Sequence, residues 1–224
     1  MSLAIIKDNH IELFGTKYFV ANAQLVSIGS YGPKATPVFG QNKLEVKDHI
    51  PAPKFKSKIK TVPPISIDTT KSSKADFTSM ITGSVKVVGF SGSESAVYDE
   101  LANKKLKLIQ LFVEDNVIKD AVNNSPKVID DLVSYGGDAR VASSLIVIAE
   151  ATFADSFTSG SSFDVSADAL GIISIEASGG STVSGKTKIT LSSGTGIGYL
   201  LLKMDWNKNK TAVETTIVDE WSIN

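Results

Sequence analysis

An α+β, β-rich fold, with long antiparallel twisted strands and a few short helices in the middle of the chain, is what three patterns predict. First, apolar residues recur at every second position between Arg140 and Trp206: Val141, Leu145, Val147, Ala149 and Phe153, then Phe163, Val165 and Ala167, then Ile173, Ile175 and Ala177, and finally Ile189 and Leu191. Side chains on a strand point alternately to its two faces, so this period marks strands with one oily and one wettable face. Second, the first thirty residues read as short strands around a Gly15-Thr16 turn. Third, helix signals are confined to the stretch from Ser93 to Gly137. The 224 residues are enough to bury a substantial core, and we expect one β-rich domain over 1–224.

In chain order, Ile11 to Phe14, the turn, and Tyr18 to Val20 onward to Ile28 form a hairpin or two strands. Residues 29–74 hold six of the seven prolines, at 33, 37, 51, 53, 63 and 64, with lysine and serine between them. Proline removes ladder donors, so this segment is expected to be extended. Residues 75–92 alternate again and read as a long strand, with Gly83 as a bend or bulge. A helical insertion is expected over 93–135: Ser93 caps a helix from Glu94 to Ala102, and two more run from Asp115 to Val122 and from Pro126 to Val133. Between them Leu106 to Val113 reads as a strand. Pro126 suits a first helical turn, and Gly136-Gly137 suits a stop. Antiparallel strands fill 138–221, the last from Ala212 to Trp221.

Composition narrows the chemistry. The chain has no cysteine, which removes disulfides, thiolate metal sites and thiol catalysis. Its net charge is −1, but the charge is uneven. From Lys43 to Lys74 there are eight lysines against three acids; from Glu94 to Glu176 there are fourteen acids against six bases. Arg140 is the single arginine among 23 basic residues, so bidentate base reading is not expected, and no nucleic-acid partner is assigned. Lys54, Lys56, Lys58 and Lys60 alternate with Phe55, Ser57 and Ile59. If extended, that piece sets four lysines on one face, suited to an anionic surface at about 1 kcal/mol per lysine near lipid. The same lysines also suit a solvated edge strand. The opening Met1 to Ile6 is too short and too polar for a signal-peptide core, and no apolar run reaches the length of a membrane helix, so a soluble cytoplasmic form is expected.

Motifs for catalysis are weak. Gly180-Ser-Thr-Val-Ser-Gly185-Lys186-Thr187 fits the spacing of a phosphate-binding loop, but the β-branched run that follows contains no helix to supply its N-terminus. Gly194-Thr-Gly-Ile-Gly198 precedes a strand-like run, against the dinucleotide fingerprint. His10 beside Asp8 and His49 beside Asp48 lack metal-ligand spacing. Asp130-Asp131 and Glu114-Asp115 fit the solvated sides of helices. No catalytic, cofactor-binding or metal-binding residue is assigned, no small-molecule substrate is assigned, and the chain is not read as an enzyme.

The order of segments over residues 76–206 resembles the pore-forming domain of the gasdermin family, including its short bacterial and fungal members. The similarity rests on the alternating entry at Asp76-Phe77, Leu106 to Val113 leading into short helices, and Val128-Ile-Asp-Asp-Leu-Val133. It continues through Ala139 to Phe153, similar to a central strand, and through Ser184 to Leu191 before Ile197 to Trp206, similar to a closing hairpin. The chain departs from the family in having no N-terminal cysteine and no amphipathic N-terminal helix, and 18 residues follow Trp206. The resemblance implies a soluble form that extends hairpins into a membrane and oligomerises into a closed β-barrel. Spanning strands would then come from Phe77–Val87 and Val141–Phe153, with Asp76, Asp155, Asp164 and Asp168 at the rims or in the lumen. The partners so implied are copies of the chain and anionic lipid, with membrane association after assembly. The residue pattern equally allows a structural subunit of a tube, fibre or virion, joined by β-mediated homo-oligomeric contacts.

Overall fold

The structure is a computed structural model that describes residues 2–38, 40–51, 54, 58–84, 93–155, 162–167, 173–178, 186–191 and 196–222. The fold is α+β and β-rich, as expected from sequence. Three N-terminal strands, β1 (Leu3–Ile6), β2 (His10–Leu13) and β3 (Thr16–Phe19), form a meander. The β2–β3 turn has positive φ at both Phe14 (54°) and Gly15 (82°), the backbone hand that matches strand twist. A 3₁₀ turn, Ala23–Leu25, leads to β4 (Ser30–Ala35).

The proline-rich stretch contributes only short strands: β5 (Lys43–Leu44), β6 (Asp48–His49), β7 (Lys60–Thr61) and β8 (Ser66–Ile67). Helices α1 (Lys74–Ser84) and α2 (Glu94–Ala102) precede β9 (Leu106–Phe112). Helices α3 (Asp115–Asn123) and α4 (Pro126–Ser134) then return the chain to β10 (Ala139–Glu150). The helix α5 (Ala151–Asp155) opens a second excursion that holds a separate antiparallel sheet of β11 (Ser162–Ala167), β12 (Ile173–Ser178) and β13 (Lys186–Leu191). The chain ends with β14 (Gly196–Trp206) and β15 (Val213–Asp219).

The larger sheet has twelve strands, and its ladder closes on itself. From β10 it runs through β14, β3, β2 and β1 to β8. Ile65, just before β8, exchanges both backbone bonds with Leu108 of β9 at 2.9 Å, and β9 pairs with β10. These seven strands form a barrel; a closed ring with an odd number of strands needs one parallel pair, here β1 with β8. Tyr18 of β3 accepts a hydrogen bond from Gln110 Nε2 of β9 at 2.8 Å, although β3 and β9 are not ladder neighbours, so the contact crosses the interior. At the β14 end of the barrel a Cβ on Gly198 would meet Ile11 Cδ1 at 3.1 Å. Glycine there suits a close approach of strands, since a larger residue would make the Ile11 side chain shift.

Several expectations are corrected. Residues 74–84 are helical, not the start of a strand over 75–92, and residues 85–92 lie outside the described residues. Ser73 Oγ accepts from the Asp76 amide at 3.0 Å, an N-cap, and Phe77, Met80 and Ile81 are buried at helical spacing. Strand β10 stops at Glu150; residues 151–155 turn into α5, held by a Lys107–Asp155 ion pair and the Ala151 amide on the Lys105 carbonyl. Every residue of β10 from Ala139 to Ala149 is buried, so this strand has no wettable face. Its Ser143 and Ser144 sit beside a register shift, where Ser144 Oγ donates to the Leu111 carbonyl. The extended segment is tied down more than its composition suggests, through β5 and β6 on β4 and β7 on β9.

Candidate functional site

Strand direction places the two large excursions at one end of the barrel. Segment 60–67 runs antiparallel to β9 and then enters α1; β9 begins at Leu106 opposite Glu150, where β10 ends; and β14 begins at Gly196 opposite Val147. The insertions 68–105 and 151–195 therefore both leave from four adjacent strands, β8, β9, β10 and β14. The first packs α1 against α2 through Phe77 and Tyr98, with the Tyr98 hydroxyl on the Ser72 carbonyl and Lys74 paired to Asp99 at 2.6 Å. The second carries the β11–β13 sheet, whose register sets Val165, Ile175 and Ile189 in one row and Ser166, Ser174 and Thr190 in the next.

Of the four lysines singled out in the sequence, three are described. Lys54 donates to the Asn124 carbonyl at 3.1 Å, Lys60 pairs with Glu114, Lys58 is exposed, and Lys56 lies outside the described residues. Ile59 between them is buried, so the alternation holds locally from 58 to 60. The phosphate-loop match is also only partly described: residues 180–185 lie outside the described residues, while Lys186 and Thr187 open strand β13. A phosphate loop would require a helix at that point.

Neither histidine has a metal site, and among the described residues no group of three His, Asp or Glu side chains could hold a metal ion. His10 stacks on Trp221 at 4.5 Å between ring centroids and bonds Asn9; burial, then Lys17, lowers its pKa. His49 Nδ1 lies 2.9 Å from Ser30 Oγ and 3.1 Å from Ser27 Oγ, and burial lowers its pKa despite the neighbouring Asp48. Asp48 instead takes Lys127 Nζ at 2.6 Å, and Lys127 also meets Asp131, which accepts from the Tyr31 hydroxyl at 2.7 Å. The Tyr31 bond, then that of Lys127, holds Asp131 below the usual carboxylate range. This network fastens α4 to β4 and β6.

Sequence reasoning missed a second polar centre. Arg140 and Lys34 share Asp219, with Lys34 Nζ 3.0 Å from the carboxylate, and Arg140 also donates to the Gly137 and Ala139 carbonyls. The signal available was that Arg140 is the single arginine, placed in a run with no other charge until Glu150. No family model, curated protein or solved structure matches this chain. Among the described residues no helix is long and apolar enough to cross a membrane, a statement that leaves strands aside.

Proposed function

We propose that this protein permeabilises membranes by oligomerising through β-hairpins drawn from its two insertions. The observation that carries the reading is their shared exit from four adjacent strands at one end of a closed barrel. Hairpins extended from 68–105 and 151–195 would continue an existing four-stranded ladder without breaking its register. Their lengths are 38 and 45 residues. Half of either, as one arm, reaches about 60 Å at ~3.3 Å per residue, well beyond a hydrocarbon core of about 30 Å. Neighbouring copies would have to close the sheet, because an open edge in lipid leaves backbone groups unpaired. In the soluble form the first insertion is stored partly as helix and the second partly as a small sheet. The partners are further copies of the chain and anionic lipid, first met by the lysines of the 43–74 segment.

The test is dye release from phosphatidylserine-containing vesicles, with residues 107 and 155 changed to cysteine and joined by a short cleavable crosslinker. The chain has no other thiol to interfere. Release by the free protein, blocked by the link and restored on cleaving it, supports the proposal. Sealed vesicles beside multimers that form in solution would favour the structural-subunit reading instead.

A further inference from the structure

Residues 43–50 lie along β4 as a strap. Glu45, Lys47 and Ile50 donate their amides to the carbonyls of Pro33, Tyr31 and Gly29, at 3.0, 2.9 and 2.9 Å. The strap sits so close that a Cβ on Gly32 would be 2.0 Å from the Glu45 carbonyl oxygen. Two side-chain bonds tie it to the core: the Leu44 amide donates to the buried Tyr199 hydroxyl at 2.9 Å, and His49 Nδ1 meets Ser30 and Ser27, both buried, whose hydroxyls lie 3.1 Å apart. Ser30 Oγ already accepts the Ser27 amide at 2.8 Å, so a serine hydroxyl proton is best directed at an unprotonated Nδ1. The strap leads directly to Lys54, Lys58 and Lys60.

We propose that His49 is an acid-sensitive latch: protonation of its ring ejects it from the Ser27–Ser30 pair, frees residues 43–50 from β4, and releases the lysines that follow toward an anionic lipid surface. A protonated Nδ1 can only donate, so the serine proton it had accepted loses its acceptor inside a buried pair. The charged groups around the ring are few. Asp48 on its own strand favours the charged ring, but α4 supplies Lys127, which binds that same carboxylate, together with Asp131; β4 supplies the neutral Tyr31 and Ser30. The geometry that neutralises Asp48 thus removes the partner an imidazolium would need.

The consequence for lysine release rests on the membrane reading above; the latch itself does not. Hydrogen exchange of the full chain, corrected for intrinsic rates, is compared at neutral and mildly acidic pH in wild type and His49→Gln, which keeps an acceptor and does not titrate. A several-fold loss of protection over 43–50 in wild type, absent from the variant, is expected. Unchanged wild-type protection, or the same pH response in the variant, overturns the latch. Should His49→Gln not fold, the wild-type imidazole titration followed by NMR must coincide with the opening of 43–50, and a mismatch overturns it equally. Binding to phosphatidylserine vesicles, with phosphatidylcholine as control, should rise on acidification only in wild type; an opening latch with pH-independent binding rules out the lysine step alone.

Discussion

At Asp219 one carboxylate answers two cations, Lys34 and Arg140, whose side chains are 13% and 9% exposed. Two charges of the same sign in so dry a place need that acid. Asp219→Ala should cost about 3–5 kcal/mol, the usual result of stranding a buried charge, and the loss should show as a lowered denaturant midpoint. A destabilisation below about 1 kcal/mol would mean that water reaches both cations. Gly32 is the backbone counterpart. Because the Glu45 carbonyl occupies the place of its Cβ, Gly32→Ala should destabilise by about 1–3 kcal/mol and deprotect residues 43–50 in hydrogen exchange. Phe14 presents the opposite case, a large exposed side chain held at φ 54°. Phe14→Asn should stabilise by about 1 kcal/mol, since Asn tolerates the left-handed region at the first position of this turn. A lowered melting temperature would show that Phe14 makes contacts the turn depends on.

Among the elements, strands with a clear period and helices with a clear punctuation were legible. Pro126 after Ser125, Ser93 before Glu94, and the apolar run from Leu106 all fell where the sequence puts them. The 74–84 helix was not read, because Phe77, Met80 and Ile81 suit period 3.6 while Phe77, Ile81, Val85 and Val87 fall on odd positions that suit period 2. The deciding cue was the Ser73-x-x-Asp76 cap, a local signal that alternation obscured. Ser73→Ala should therefore cost about 1 kcal/mol in equilibrium unfolding, with the loss confined to α1 amides in hydrogen exchange. An unaffected α1 would show that burial of Phe77 and Met80 alone fixes it. The end of β10 was misplaced for a different reason: Ala151 to Phe153 continue the period, and tertiary contacts, the Asp155–Lys107 pair and the Ala151 amide on the Lys105 carbonyl, accompany the turn. The barrel closure was beyond reach, since it depends on one bridge between Ile65 and Leu108 far apart in sequence. The candidate site shared that limit, because alternation located its strands but not their common exit.

For the molecule as a whole, the distribution of titrating groups predicts acid sensitivity in two stages. Burial lowers the pKa of both histidines, each of which joins a peripheral segment to the barrel: His10 stacks on Trp221, and His49 holds the 43–50 strap. A histidine whose pKa is depressed on folding binds its proton more readily when unfolded, so its contribution is complete above the ordinary value of 6.5 and declines as pH falls below it. Asp48 and Asp131 are held low by Lys127, with Tyr31 leading for Asp131. Their contribution is retained above 3.8 and lost only as pH falls further, and because Asp48 is exposed and Asp131 partly so it is the smaller part. Calorimetric melting temperatures should thus fall first below about pH 6.5 and again below about pH 4. The double variant His10→Gln, His49→Gln should abolish the first decline and keep the second. A wild-type melting temperature that is flat across the first interval would place the histidines in water when folded, and would remove the physical basis for an acid-loosened periphery around a barrel that itself stays closed.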